Sequence, residues 1–215
     1  MHLLLYLLAD PDFAGERPLL EKVAAALDGG VTAVQLRAKQ AMMRETLALG
    51  QEMRRIARGA GAAFLVNDRP DLALALEADG VHVGSTDLPV GETRRLVHRP
   101  MVVGASAGSV DEAREAEQAG ADYLGVGPVF ATSSKADAGE PIGLESLAEI
   151  ASLVRIPVVG IGGITLHNAS SVIEAGAVGV AVISAILMAD DCAQAARALR
   201  GNLEEAMTRR CLPEK

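Results

Sequence analysis

The stretch EQAGADYLGVG, residues 117–127, changes character twice. A polar, alanine-rich helix end runs into Gly120, and the chain from Asp122 to Val126 then reads as a buried strand. Glycine just past a helix takes the left-handed cap that lets the chain turn back on itself. The phrase returns with variations as LDGGVTAVQLR (27–37), LEADGVHVG (76–84) and IEAGAVGVAVIS (173–184). A helix end, a Gly or Asp-Gly stop and a β-rich apolar run, repeated along one chain, mark parallel βα units.

Extending this rhythm in both directions places strands near 3–8, 32–37, 63–67, 80–83, 101–105, 122–126, 157–160 and 178–182. Helices fit near 17–28, 44–60, 70–78, 91–98, 110–119, 144–154, 167–175 and 191–207, the fifth opening with a capping box at Ser109 and Glu112. Eight strands alternating with eight helices in 215 residues predict a single-domain (β/α)₈ TIM barrel over 1–215. An open doubly wound sheet is the alternative, because periodicity does not report closure. The N-terminal MHLLLYLLAD is too short to span a bilayer, and no basic segment or small-residue cleavage site accompanies it, so it reads as the first strand.

Half of the residues are hydrophobic and only 2% are aromatic, which suits helices packed closely on a buried sheet. The net charge of −8 argues against a nucleic-acid partner, which would call for a basic face. Any anionic ligand must therefore be met by locally placed cations. Cys192 and Cys211 have no metal-like spacing and read as free thiols of a cytoplasmic protein.

In such a barrel the chemistry sits at the C-terminal strand ends. The second strand ends VQLRAK, where Gln35, Arg37 and Lys39 alternate and so share a face of an extended chain. Two cations and an amide suit an anionic, hydrogen-bonding ligand; a solvated strand end is the plainer reading. The third strand delivers Asn67 and Asp68, and the fourth reaches Asp87 in STDLP. Two carboxylates from adjacent strand ends beside cations are what Mg²⁺ bound through a phosphate requires. Ser106 closes the fifth strand. Gly162 and Gly163 follow the seventh, and Ile183 and Ser184 begin a short helix after the eighth, where barrels of this type gather backbone N–H groups around a phosphate. His82 lies inside the fourth strand and reads as packed, or as supporting other residues. No nucleophile with a partner base appears at a predicted strand end.

Five segments, VQLRAK (34–39), VNDRPDLALALEADGVHVGSTDLP (66–89), GVGPVFATSSK (125–135), VVGIGGI (158–164) and GVAVISAI (179–186), resemble the thiamine-phosphate synthase family in order and spacing. The resemblance implies a (β/α)₈ barrel that joins a hydroxymethylpyrimidine diphosphate to a thiazole phosphate with Mg²⁺, releasing pyrophosphate. It implies Gln35, Arg37, Lys39, Asn67, Ser106 and Lys135 on the pyrimidine diphosphate, with Lys135, Ser106 and Arg37 closest to the chemistry. It implies Asp68 and Asp87 on the metal, and Thr132, Ser134, Gly163, Ile183 and Ser184 on the thiazole phosphate. The small phosphorylated substrates are the implied partners; a homo-oligomer is compatible with the resemblance and not required by it.

The chain departs from the family at Ala38, Ser85, Gly108, Ala131 and Ser134, where Glu, Gln, His, Pro and Thr are usual. A related thiazole tautomerase of the same fold typically carries His in the position of Pro128 and lacks the metal-binding acids, and a non-catalytic thiamine-pathway binding protein would have no reason to keep Asp68, Asp87 and Lys135 together. The long small-residue segment at about 128–142 is expected to be a flexible loop, with Lys135 drawing it over a diphosphate.

Overall fold

The computed structural model describes residues 1–132, 134 and 139–211. The strands are β1 (Leu5–Ala9), β2 (Ala33–Leu36), β3 (Ala63–Asn67), β4 (Gly80–Val83), β5 (Val102–Ala107), β6 (Tyr123–Val126), β7 (Val158–Ile161) and β8 (Gly179–Val182). Each pairs in parallel with the next, and β8 returns to β1 through the register Leu5↔Val180, so the sheet is a closed barrel. That last pairing excludes the open sheet.

Helices α1 (Leu19–Asp28), α2 (Met43–Gly59), α3 (Pro70–Ala75), α4 (Val90–Leu96), α5 (Val110–Gln118), α6 (Gly143–Leu153) and α7 (Ala169–Glu174) lie between successive strands. A four-residue helix α8 (Ser184–Leu187) follows β8, and α9 (Cys192–Cys211) packs across α1 and α7. Outward-facing strand aliphatics such as Val34, Leu36, Val81, Val103 and Val180 merge with Val23, Met53, Leu147 and Val172 of the helices into one core. No helix among the described residues is long and apolar enough to cross a membrane.

The repeated phrase works as read in three of its four copies. Gly30, Gly120 and Gly176 follow their helices at φ of 101°, 99° and 105°, a region where a Cβ would be strained. In the copy at 76–84 the left-handed residue is Glu77, at φ 45°. Helix α3 stops one turn early there, so Gly80 lies inside β4 rather than at the cap. A second device recurs just before several strands. Thr32, Asp79 and Asp122 each accept the N–H of a residue at the start of the preceding strand, Leu5, Phe64 and Val103, at 3.1, 2.8 and 2.8 Å. These side chains cap the barrel's lower edge.

The box at α5 is half formed. Ser109 accepts the Glu112 N–H, but the Glu112 carboxylate takes the Gly108 N–H at 2.6 Å instead of returning to Ser109.

Inside the ring, small residues face large ones. A Cβ on Gly104 would stand 2.2 Å from Cζ of Tyr123, and one on Gly125 would stand 3.0 Å from Cε1 of His82. Gly104→Ala should therefore cost about 1–3 kcal/mol through overpacking and lower the Tm. Gly91→Ala, in helix α4 with nothing within 4 Å, should be neutral or slightly stabilising. Thermal denaturation compares the two; equal Tm values would show that the inner layer can absorb a methyl group.

Candidate active site

A cavity of about 460 Å³ opens over the C-terminal strand ends. Arg37, Lys39, Asn67, Asp68, Asp87 and Ser106 line one side, and Thr132, Ser134, Gly163, Ile183 and Ser184 line the other. The residues singled out from different strand ends are thus gathered around one space. Ser85, Gly108, Ala131 and Pro128 are on its wall as well. Lys135 lies outside the described residues. The flanks of its segment are pinned to the barrel: Val129 is buried and its N–H reaches the Ile161 carbonyl at 2.8 Å, while the Ile142 N–H reaches the Pro128 carbonyl at 2.8 Å.

Gln35 points inward with Arg37 but lies deeper than the cavity wall. Arg37 and Lys39 reach the wall, but Gln35 is only 1% exposed and is not part of the lining. Alternate residues of a tilted barrel strand point inward at successive depths, and Gln35 occupies the layer beneath. Its Nε2 donates to the Tyr6 hydroxyl at 2.5 Å, and among the described residues its Oε1 has no hydrogen-bond partner. From there a line of contacts crosses the barrel. The hydroxyls of Tyr6 and Tyr123 lie 3.0 Å apart, Tyr123 meets His82 Nδ1 at 3.0 Å, and His82 Nε2 meets Ser106 Oγ at 3.0 Å. Burial pushes both tyrosine pKa values well up, so both hydroxyls stay protonated. His82 supports Ser106, as its place inside β4 suggested.

At the mouth, the Arg37 guanidinium is buried against Asp10, which also accepts the Asp12 N–H at 3.0 Å. Asp10 ends the β1 segment and holds the cation in place; its position at a strand end was the available signal in the sequence. Asp68 sits in the left-handed region at φ 62°, between an Arg69 N–H that reaches back to the Asn67 carbonyl at 2.8 Å and its own N–H on the His82 carbonyl at 2.7 Å. A non-glycine residue held there is strained, and such strain gathers where function requires an orientation. The turn brings the Asp68 carboxyl against that of Asp87, while Lys39 Nζ stands 3.5 Å away. Asp87 is fixed in turn by the Gly84 N–H at 2.8 Å. Burial, and then the neighbouring Asp87, push the Asp68 carboxyl up to about 6 against the opposing pull of Lys39. Among the described residues no group of three or more His, Cys, Asp or Glu side chains gathers as a metal cage. Two adjoining carboxylates facing a ligand space match an ion that takes its remaining oxygens from phosphate and water.

Across the cavity, Gly162 and Gly163 have φ of 95° and 65°. A Cβ on Gly163 would come within 2.4 Å of the Ala131 carbonyl, so only glycine permits this approach. Asn168, absent from the expected set, steadies the turn by donating Nδ2–H to the Gly163 carbonyl at 3.0 Å and accepting the Thr165 N–H at 2.7 Å. Ser134 Oγ lies 3.3 Å from Ser184 Oγ, and the Ser134 N–H reaches Thr132 Oγ1 at 3.2 Å. The hydroxyls stand beside the first turn of α8.

Cations, amides and hydroxyls around a carboxylate pair, above a closed ring of parallel strands, define a (β/α)₈-barrel enzyme built for phosphate-bearing ligands. Residues 5–186 match the family described as thiamine monophosphate synthase. The chain belongs to this family. A thiamine-phosphate synthase of Moorella thermoacetica is 56% identical over 196 residues, covering 91% of this chain and 93% of that protein. One from a Roseiflexus species is 51% identical over 207 residues, 96% and 88% of the two chains. The solved thiamine phosphate pyrophosphorylase of Pyrococcus furiosus superposes with a TM-score of 0.89 at 44% identity, covering 96% of this chain and 98% of that one.

The carboxylate pair makes the metal-free protein's stability depend on pH. Because the Asp68 carboxyl is raised from 3.8 to about 6 in the fold, its contribution is fully present below 3.8 and lost as pH rises through 6. Asp68→Asn cannot lose it. In chelator, wild type should therefore lose about 1 kcal/mol relative to Asp68→Asn between about pH 4 and pH 7, after allowing for solvent screening. Paired Tm measurements check this; a wild-type advantage that grew with pH would refute it.

Proposed function

We propose that the protein couples 4-amino-2-methyl-5-hydroxymethylpyrimidine diphosphate to a thiazole phosphate, the 4-methyl-5-(2-phosphoethyl)thiazole or its carboxylate, giving thiamine phosphate and pyrophosphate, with carbon dioxide released as well where the carboxylate is the substrate. The observation that carries this reading is the two-sided cavity. Cations beside a carboxylate pair occupy one side, and a glycine turn with three hydroxyls occupies the other. Family membership, at 56% identity to a relative named for this activity, supports it.

In this reading Arg37, Lys39, Asn67 and Ser106 bind the diphosphate, and Lys135 joins them on the strength of the resemblance. Asp68 and Asp87 would hold Mg²⁺, which when bound offsets charge on the diphosphate. Thr132, Ser134, Gly163, Ile183 and Ser184 hold the thiazole phosphate, and Gln35 acts from the layer beneath. The methylene C–O bond breaks with its electron pair leaving on pyrophosphate, and the thiazole nitrogen lone pair forms the new C–N bond. No side chain has to take a proton in that exchange. The protein's task is to align the nitrogen with the methylene carbon and to stabilise the departing anion. Pro128 on the cavity wall, where the tautomerase carries histidine, favours coupling over isomerisation. A cytoplasmic setting is part of the same proposal.

Mixing the protein with both substrates and Mg²⁺ should yield thiamine phosphate, with pyrophosphate release that requires both. Efficient isomerisation of the thiazole carboxylate without coupling would assign the chain to the tautomerase reaction instead. Asp68→Asn and Asp87→Asn should each raise the Mg²⁺ concentration for half-maximal rate about tenfold, as expected when one charge-assisted ligand is lost, and should lower turnover while circular dichroism stays unchanged. Wild-type rates for both variants at limiting Mg²⁺ would remove the metal assignment.

A further inference from the structure

The line of contacts beneath the cavity joins residues from β2, β1, β6, β4 and β5, and its direction follows from which groups can donate. An amide nitrogen only donates. Gln35 Nε2 therefore makes the Tyr6 oxygen an acceptor, and the single Tyr6 proton goes to the Tyr123 oxygen. The Tyr123 proton then goes to His82 Nδ1. With Nδ1 accepting, the neutral ring carries its proton on Nε2 and donates it to Ser106 Oγ. Ser106 accepts from the barrel and keeps its own proton for the cavity.

The opposite order is worse at both ends. Turning the Gln35 amide over would bury an NH₂ group where only an unpaired oxygen now lies, and orphaned N–H groups are rarer and costlier than under-satisfied carbonyls. At the other end Ser106 would give its proton to His82 and offer only lone pairs to an anion. The rings are also held against turning: the tyrosines meet edge to face with centroids 6.2 Å apart, and a Cβ on Gly104 or Gly125 would crowd Tyr123 or His82.

We propose that Gln35, Tyr6, Tyr123 and His82 form a proton-ordered line that holds His82 as its Nε2–H tautomer, so that Ser106 always presents its hydroxyl proton to the phosphate group in the cavity. Tyr6 and Tyr123 are then positioning residues for the pyrimidine diphosphate, acting from below the wall. The inference rests on the proposed function only for the identity of that anion.

The test reads the tautomer directly. In ¹⁵N-labelled, ligand-free protein, the His82 ring shifts should show Nδ1 bare and Nε2 protonated. Tyr6→Phe keeps the ring and removes the link to Gln35. It should produce a mixture of tautomers and weaken inorganic pyrophosphate binding about tenfold, the scale of one net hydrogen bond to a charged group. The KM for thiazole phosphate should change less than about twofold, because the line ends on the other side of the cavity. Tyr123→Phe should do the same through loss of the donor to Nδ1. A wild-type His82 protonated on Nδ1, or Tyr6→Phe with both tautomer and pyrophosphate affinity unchanged, overturns the inference. A coupling assay that fails while the tautomer and pyrophosphate affinity still respond would count against the proposed function and leave this inference standing.

Discussion

Eight parallel strands closed into a ring enclose a volume that side chains must fill, and here two phenol rings fill its middle. Tyr6 and Tyr123 can meet there because Gly104 gives up the space a Cβ would need. Once buried, their hydroxyls must be paired, since a desolvated polar group without a partner costs more than a hydrogen bond returns. The pairing runs outward from the axis to Gln35 on one side and through His82 to Ser106 on the other. The demand for a filled, satisfied interior thus reaches the cavity floor, and the floor arrives at the ligand with its donors already aimed.

The fold was legible because its signal is local and repeated. Alternating helix and strand periods, punctuated by Gly30, Gly120 and Gly176, need no knowledge of distant contacts, and the strand-end rule then names candidates directly. Closure was not legible, since it rests on β8 pairing with β1 from the far end of the chain. Glu77 in a left-handed turn could not be read either, because the sequence offers a glycine three residues later that suits the role better. The candidate cavity lining was readable where single residues stand at or just past strand ends, as with Asp68, Asp87 and Ser106. It was not readable where function depends on depth. Gln35 and Arg37 are two positions apart and share a direction, yet one lies beneath the cavity and the other on its wall. The tyrosines are 117 residues apart, and only the ring of strands brings them together. Asn168 and Asp10 belong to this second kind, since each acts by holding a neighbour.

A protein with a net charge of −8 that binds two phosphorylated ligands meets its own repulsion first. The cavity answers on its two sides by different means. In the proposed reading the glycine turn after β7 and the hydroxyls of Thr132, Ser134 and Ser184 meet an anion without adding charge to the site. The opposite side uses Arg37 and Lys39, each tied to a carboxylate, and so nearly neutral as pairs at a distance. Those pairings fix the two cations at the wall, so that they act on a ligand at short range and favour ligands that fit over anions in general.

The carboxylate pair adds a condition to that selectivity. Asp68 and Asp87 are pressed together by a strained turn and a backbone N–H, and Lys39 offsets only part of their repulsion. A bare diphosphate would add negative charge to this corner and be repelled, while a cation alone would be held by only two protein carboxylates. If Mg²⁺ and the diphosphate meet at this corner as proposed, each would improve the site for the other, and that positive coupling would be reciprocal. The left-handed turn at Asp68 holds its carboxyl against that of Asp87, so their repulsion stays in place until a cation offsets it.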